Sequence, residues 1–402
     1  MSTRSSGSSP QLTVHSHTSP TSFFTPTNIR FSDLSSDPSE RTPTSEWNSR
    51  KARKGRYASR PATVRYITTK DGARGSRLEG YGTMIAQELN GRIKHEESKL
   101  KPNLKMDISW WVAVAFTFGS AVWVVNGYVE WFPLFRPNLD NQTVSRTAAA
   151  LAFIGGTVFE IGSYLMVVEA LDRGREINFG TAIGQLLHHR RHVDQEKDAE
   201  HHKLIQDHVL HHRERHSSST TLSHAVNTDG GTEKNGKQSK VKPWIWWGPP
   251  MWHDMGYCAA VIQFFGATVF WIATITGLPG VIPGFAAGGG SIAIIDVFFW
   301  TPQVVGGTGF IISSTLLMLE VQGSWWRIKP LDIGWHVGFW NLIGSIGFTL
   351  CGALGFSSKS GVVYESDLAT FWGSWAFLIG SCFQVWESIW REAEPEPDTK
   401  KG

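Results

Sequence analysis

The chain has 402 residues, of which 41% are hydrophobic and 18% are charged. Its net charge of +3 argues against a dedicated nucleic-acid binder, and its three cysteines, each in an apolar stretch, argue against a disulfide framework or a cysteine zinc site. Of its 19 tryptophans, 18 lie between Trp110 and Trp390, so the first hundred residues almost lack aromatic anchors. The chain therefore joins a polar segment to an apolar one.

Residues 1–107 have the composition of a disordered tail. Residues 1–46 contain 21 Ser or Thr and five Pro, and such a segment cannot bury enough apolar surface to offset the entropy of ordering. The tail carries 18 basic and 10 acidic residues, a charge of +8. Its basic run from Arg50 to Arg56 predicts either contact with anionic lipid or a merely solvated stretch. Kinases are possible partners, at Ser9, Ser19, Thr25, Thr42 and Ser59.

Six segments are long and apolar enough to cross a lipid bilayer as helices, because backbone polar groups in lipid must bond within their own segment. This pattern predicts an all-α fold, a six-transmembrane helix bundle in contact with the lipid bilayer. The segments are Ile108 to Val129, Thr147 to Val168, Met255 to Gly277, Val297 to Leu319, Ile333 to Phe356 and Leu368 to Trp386.

All six segments share one register, in which a Gly is followed by an aromatic residue four positions later and by a small or short polar residue at position seven. These offsets fall on one helix face, where small residues let two backbones approach closely. The register therefore predicts helix packing, with substrate binding as the alternative. Its glycines are Gly119, Gly155, Gly266, Gly306, Gly344 and Gly373, with Gly162 and Gly380 at position seven.

The even-numbered segments add a Glu fourteen residues after the Gly, at Glu169, Glu320 and Glu387. We expect these carboxylates to be hydrated helix-end anchors at the membrane interface, two of them paired with an Arg four residues later, with a coupling role as the alternative. The odd-numbered segments instead place an aromatic residue nine positions before the Gly. The repeating unit is therefore a helix pair, and the predicted divisions are 1–107 (tail), 108–171 (first pair), 172–254 (loop), 255–320 (second pair), 321–332 (loop), 333–390 (third pair) and 391–402 (tail).

The stretches FIGGTVFEIGSYLMVVE, ending at Glu169, and FWGSWAFLIGSCFQVWE, ending at Glu387, resemble the second helix of the two-helix YrhK-like membrane domain. A Ser/Thr-rich tail followed by six spans also resembles uncharacterised multi-pass integral membrane proteins of filamentous fungi. The resemblance covers about residues 108–391, and it implies no reaction, cofactor or catalytic residue.

The long loop between the second and third spans is rich in histidine. Imidazoles four residues apart on a helix can share one divalent metal ion, so the loop is a candidate zinc, copper or nickel site, with a solvated linker as the alternative. The candidate ligands are His188, His192, His208, His212 and His216.

Loop charges predict the orientation of the chain. Lys and Arg lie mainly on the side of the membrane that holds the tail, so we expect both termini to be cytoplasmic. The Asn-x-Thr sequon at Asn141 falls on the opposite side, where it is a candidate glycosylation site. We expect the plasma membrane or another membrane of the secretory pathway.

Glu160 is the one carboxylate well inside a predicted span, and an ionisable group there is by default a functional hypothesis. No catalytic or cofactor motif accompanies it, so we expect no cofactor and no enzymatic activity. The first hypothesis is a non-enzymatic protein with a structural or sensing role. The alternative is a small-solute or proton transporter or channel that uses Glu160.

Overall fold

The structure is a computed structural model that describes residues 11–33, 45–56, 63–65, 100–101, 103–136, 138, 141–172, 245–285 and 289–391. Four strands lie in the tail: β1 (Gln11–Thr18), β2 (Asn28–Asp33), β3 (Ser45–Asn48) and β4 (Thr63–Arg65). They form one sheet in the order β3-β2-β1-β4, antiparallel except for the parallel pair of β1 and β4. The tail was expected to be disordered, but these parts of it have regular structure.

A five-residue helix, α1 (Ser49–Arg53), follows β3 directly. The sheet fixes where this helix starts, because the Ser49 amide donates to the Thr27 carbonyl oxygen at 2.8 Å. The Asn48 amide group also donates to Asn28 Oδ1 at 2.7 Å. The sheet therefore sets the position from which α1 contacts the rest of the chain.

Within the described residues, six long helices form the main body, each long and apolar enough to cross a membrane. The predicted all-α bundle of six membrane helices is confirmed, and the chain is a multi-pass membrane protein. The helices are α2 (Ile108–Phe135), α3 (Gln142–Leu171), α4 (Met255–Thr276), α5 (Ile292–Val321), α6 (Ile333–Leu354) and α7 (Ser360–Ile389).

The six helices form a closed ring. Each packs against the helices next to it in the chain, and α7 packs against α2. Because consecutive helices run in opposite directions, α2, α4 and α6 begin at the end of the ring where α3, α5 and α7 finish. We call this end, which the tail contacts, the tail end, and the opposite one the far end.

The fifth helix is irregular where Pro302 enters it. Its residues Asp296–Trp300 form a π-helical turn before the regular segment Thr301–Val321. Proline has no amide hydrogen, so it leaves the carbonyl oxygen of Phe298, four residues earlier, without its helical donor. The Thr276 hydroxyl of α4 donates to this oxygen at 2.7 Å. A neighbouring helix thus satisfies the freed carbonyl, as a lipid surrounding requires.

Candidate functional site

The three recurrent glutamates meet at the tail end. Glu169, Glu320 and Glu387 lie in the last turn of α3, α5 and α7, with relative exposures of 1%, 0% and 1%. They were expected to be hydrated helix-end anchors, but the structure buries all three. Because α3, α5 and α7 end at the same level of the closed ring, their equivalent carboxylates converge. We call these three residues the acidic collar.

The tail brings three cations into the acidic collar. Arg50 and Arg53 of α1 and Lys54, which follows it, have relative exposures of 1%, 5% and 2%. A charged side chain is almost never buried to this degree without a partner of opposite charge. Three carboxylates and three cations give the cluster no net formal charge.

Local sequence signals close α1 at both ends. Asn48 Oδ1 accepts a hydrogen bond from the Lys51 amide at 3.1 Å, which caps the first turn. At the other end Gly55 has a φ of +61°, and the amides of Gly55 and Arg56 donate to the carbonyl oxygens of Ala52 and Lys51. This pair of bonds is a Schellman motif, which favours glycine at the left-handed position. Five residues would not form a stable helix alone, so capping and burial together maintain α1.

Arg50 binds the collar at Glu387. Its Nε donates to Glu387 Oε1 at 2.8 Å and its Nη2 donates to Glu387 Oε2 at 2.7 Å. This two-bond arrangement is the strongest geometry for a guanidinium and a carboxylate. The Arg50 Nη1 atom also lies 3.9 Å from Glu320 Oε2, so a second carboxylate contributes to the attraction.

Arg53 and Lys54 bind the other two carboxylates. Arg53 Nη2 donates to Glu320 Oε2, and Arg53 Nη1 donates to Glu169 Oε2 at 3.3 Å. Lys54 Nζ lies 2.9 Å and 3.1 Å from the two oxygens of Glu169. Arg53 therefore contacts the last turns of both α3 and α5, so α1 links the ends of these two helices.

Helices α2, α4 and α6 provide space for these cations. Each begins after an Asp whose side chain accepts an amide hydrogen bond, at Asp107, Asp254 and Asp332. Two residues after the Asp comes a small residue beside the collar. In the first pair it is Ser109, whose hydroxyl donates to Glu169 Oε1.

Glycine occupies this small-residue position in the second and third pairs. A Cβ atom added to Gly256 would lie 2.7 Å from Arg53 Nε, and one added to Gly334 would lie 2.7 Å from Arg50 Nε. Only glycine leaves room for the two guanidinium groups. One pair therefore supplies a hydroxyl to the collar, and two pairs supply a space for arginine.

Electrostatics keep both arginines charged. Burial alone would lower the pKa of the Arg50 guanidinium, but the charge and hydrogen bonds of Glu387, and then Glu320, raise this pKa above its ordinary value. The pKa of Arg53 is likewise raised, because Glu320 and Glu169 outweigh burial. Buried ion pairs add little net stability, yet removing one partner typically costs about 3–5 kcal/mol. The cluster is therefore sensitive to the loss of any one charge.

A second part of the tail fixes α1 from outside. Lys101 Nζ donates to the Lys54 carbonyl oxygen at 2.6 Å and to Asp107 Oδ2, and the Lys101 amide donates to the Ile389 carbonyl oxygen at 2.9 Å. Burial lowers the pKa of Lys101, although Asp107 opposes this shift. Lys101 thus links the end of α1 to the start of α2 and the end of α7.

A central cavity lies directly below the docked cations. Arg50, Arg53 and Lys54 line its tail-end side, and Phe159 and Phe377 line its opposite side. The cavity has a volume of about 20 Å³, which is enough for at least one water molecule. Its polar wall residues are Gln263, Ser314, Asn341 and Gln384.

Beyond the cavity, six aromatic side chains meet around the axis of the ring, where they line a second, smaller cavity. These rings are buried and contact one another, as in the pairs Trp123 with Phe348 at 4.9 Å and Phe348 with Phe377 at 5.2 Å between centroids. Each is the aromatic residue four positions after the register glycine of its helix. We call this set the aromatic layer: Trp123, Phe159, Phe270, Phe310, Phe348 and Phe377.

The predicted packing glycines lie between the helices of each pair. A Cβ on Gly119 would be 2.7 Å from the Phe159 ring, and one on Gly155 would be 2.8 Å from the Trp123 ring, so each glycine faces the aromatic residue of its partner helix. The equivalent contacts recur in the other pairs. Gly266 and Gly306 face α5 and α4, Gly344 and Gly373 face α7 and α6, Gly162 faces Ala115 and Phe116, and Gly380 faces Trp340 and Asn341.

Glu160 does not line the central cavity. It is half-buried between α3 and α4, where Thr268 Oγ1 donates to Glu160 Oε1 at 2.9 Å. Among the residues that the structure describes, Glu160 Oε2 has no hydrogen-bond partner. Thr268 of α4 is thus a polar residue inside the spans that contacts Glu160.

The predicted histidine metal site, His188, His192, His208, His212 and His216, lies outside the described residues, as does Arg173. Within the described ranges, no group of three or more His, Cys, Asp or Glu side chains could hold a metal ion. Asn141 caps the start of α3 at the far end, where its Oδ1 accepts from the Val144 amide at 3.1 Å.

Two signals for the cluster are present in the sequence. The first is the spacing from Asn48 to Gly55, a cap residue and a terminating glycine around a basic run. The second is the small residue that follows each capping Asp by two positions, at Ser109, Gly256 and Gly334. Neither signal predicts that the tail contacts the acidic collar, because residues 48–55 and the glutamates of the collar are separated by more than one hundred positions in the chain.

No protein-family model, curated protein sequence or solved structure matches this chain.

Proposed function

We propose that this protein has a non-enzymatic, structural or sensing role, in which the six-helix ring is the receptor for its own N-terminal tail. The observation that carries the proposal is the complete burial of three tail cations against three carboxylates of the ring. A solvated linker has no reason to lose its hydration in this way. The tail and the ring would then form a two-state element, docked or released.

Sensing follows from the opposing energies of the docked state. Docking removes six charged groups from water and replaces their hydration with ion pairs, and these two large terms nearly cancel. A signal that alters one charge or binds the released tail can therefore shift the balance between the two states. Each helix pair contributes one carboxylate to the collar, so release of the tail would change the contacts of all three pairs.

We propose that the tail end faces the cytoplasm, in the plasma membrane or another membrane of the secretory pathway. The excess of Lys and Arg near this end supports the orientation. Exposed tryptophans at the same end fit a position at the membrane interface, where such rings prefer to lie. They include Trp111, Trp247, Trp252, Trp325, Trp326 and Trp386.

The alternative of a transporter or channel using Glu160 has less support. A transported ion would need a path to this carboxylate, but Glu160 binds Thr268 between two helices and lies outside the central cavity. The aromatic layer also occupies the axis of the ring. The unpartnered Oε2 of Glu160 is the one observation in favour of this role.

We also propose that the three helix pairs derive from a single two-helix unit, as the resemblance of α3 and α7 to the YrhK-like helix implies. The support is structural repetition. In each pair a register glycine packs against the aromatic residue of its partner, and a terminal Glu joins the collar.

The test of the proposed function is the protection of the tail from trypsin. Trypsin must bind the side chain of a Lys or Arg in an extended segment, so the docked chain should resist cleavage after Lys54. Glu387→Gln removes the carboxylate to which Arg50 donates two hydrogen bonds. Removing one partner of a buried ion pair typically costs about 3–5 kcal/mol. We expect cleavage after Lys54 in the purified full chain to accelerate at least tenfold, which is within the shift of about two orders of magnitude that a loss of about 3 kcal/mol allows.

Glu365→Gln is the matched control, because Glu365 is an exposed glutamate on the same helix. This variant should be cleaved at the wild-type rate. Rapid cleavage of the wild-type chain after Lys54, or equal protection of wild type and Glu387→Gln, would contradict the proposed docking.

A further inference from the structure

Ser49 occupies a sensitive position in the docked tail. It is the first residue of α1, its relative exposure is 3%, and its hydroxyl donates to Glu320 Oε1 at 3.0 Å. The other oxygen of the same carboxylate accepts from Arg53. Ser49 therefore contacts the acidic collar directly, with a group that carries no charge.

A phosphate on Ser49 would be incompatible with this contact. Phosphoserine carries a charge of about −1.5 to −2 at neutral pH, and it would lie against the buried carboxylate of Glu320. The cluster has three cations and three carboxylates, so the phosphate would leave these six groups with an excess of negative charge. The phosphate would also compete with Glu320 and Glu387 for the guanidinium groups of Arg53 and Arg50.

The residues after Ser49 suit a kinase that recognises basic sequences. Arg50, Lys51, Arg53 and Lys54 follow within five positions. In the docked state three of them are buried with Ser49, so a kinase could reach neither the hydroxyl nor its recognition residues. Release of the tail would expose the whole motif at once.

We propose that Ser49 is a phosphorylation site whose modification keeps the tail released. In the reaction, the Ser49 hydroxyl oxygen bonds to the γ-phosphorus of ATP, the bond to ADP breaks, and the hydroxyl proton passes to the kinase. The docked and the phosphorylated states then exclude each other. The inference rests on the proposed docking and on a tail end that faces the cytoplasm, where ATP and kinases are present.

The experiment uses the purified full chain with ATP and a protein kinase specific for basic sequences. Phosphate at Ser49 is measured by mass spectrometry in wild type, in Glu387→Gln and in Ser49→Ala. We expect Ser49 to be modified at least tenfold faster in Glu387→Gln than in wild type, because losing a buried partner shifts docking by about two orders of magnitude or more. The Ser49→Ala chain identifies modification at other sites.

Trypsin cleavage after Lys54 then reports the state of the modified chain. The phosphorylated wild-type chain should be cleaved as fast as Glu387→Gln, whereas unmodified Ser49→Ala should stay protected, because it loses one hydrogen bond and no charge. Phosphate on Ser49 in a chain that remains protected would overturn the inference. So would a released Glu387→Gln chain that the kinase leaves unmodified at Ser49.

The two proposals fail in different ways. If Glu387→Gln does not release the tail in the absence of kinase, the docking itself is wrong, and the inference about Ser49 falls with it. If Glu387→Gln releases the tail but Ser49 is never modified, docking stands and the phosphorylation site alone is refuted.

Discussion

Two glycines decide whether arginine can enter the bundle. Gly334 lies opposite Arg50 and Gly256 lies opposite Arg53, each so close that any side chain would displace the guanidinium. Ser109 has the same place in the first helix pair, where its hydroxyl donates to Glu169, which Lys54 and Arg53 also bind. The two glycine positions thus each leave room for one guanidinium group, whereas the serine position supplies a hydrogen bond to the collar.

We expect Gly334→Ala to release the tail without unfolding the ring. Its new Cβ atom would lie 2.7 Å from Arg50 Nε and 2.8 Å from Arg50 Cδ, and overpacking of this kind costs about 1–3 kcal/mol. The measurement is the rate of trypsin cleavage after Lys54, together with the thermal unfolding temperature of the bundle.

Gly361→Ala is the control, since no atom lies within 4 Å of a Cβ at that position. It should leave the tail protected. An unchanged cleavage rate in Gly334→Ala would show that Arg50 does not occupy this space.

At the level of helices, each pair is held by small residues and short hydrogen bonds rather than by hydrophobic attraction, because lipid tails are as apolar as the helix surfaces. In the second pair, Gly306 lies against the backbone of Gly266, and the Ser313 hydroxyl donates to the Ala259 carbonyl oxygen at 2.8 Å. The tail helix differs, because ion pairs attach it. The ring should therefore survive changes that detach the tail.

Gly306→Ala should destabilise the ring itself, whereas Gly334→Ala should detach only the tail. Its Cβ would lie 2.6 Å from the Gly266 carbonyl oxygen and 2.7 Å from Phe270 Cβ, and these atoms belong to the helix backbone and its nearest side-chain carbon, which cannot move aside cheaply. We expect the unfolding free energy of the bundle in detergent to fall by about 1–3 kcal/mol. A chain as stable as Gly361→Ala would contradict the close packing of α4 and α5.

For the molecule as a whole, the sequence predicts the six helices better than it predicts the site. The six helices follow from the length and hydropathy of their segments, although α2, α3, α5 and α7 extend further than predicted, because their ends carry polar residues such as Glu130 and Glu387. Periodicity alone identifies the helix pairs. Both inferences depend on residues that are near one another in the chain.

The charge cluster could not be predicted in the same way. Glu169, Glu320 and Glu387 recur at one position, but the sequence gives no indication that a closed ring brings them together. Arg50 and Arg53 stand in a basic run that is equally typical of a solvated tail or of contact with lipid. The basic run and the three glutamates are each, taken alone, consistent with hydrated charges. Their burial becomes possible only because the fold places them in contact.

If charge matching at the acidic collar binds the tail, exchanging the charges of two contacting residues should preserve the binding. Arg50→Glu and Glu387→Arg should each expose Lys54 to trypsin, because each places like charges at a contact of 2.7 Å. The double variant restores opposite charges at this contact. We expect protection to return in the double variant. Wild-type protection in either single variant, or no recovery in the double variant, would show that charge matching does not bind the tail.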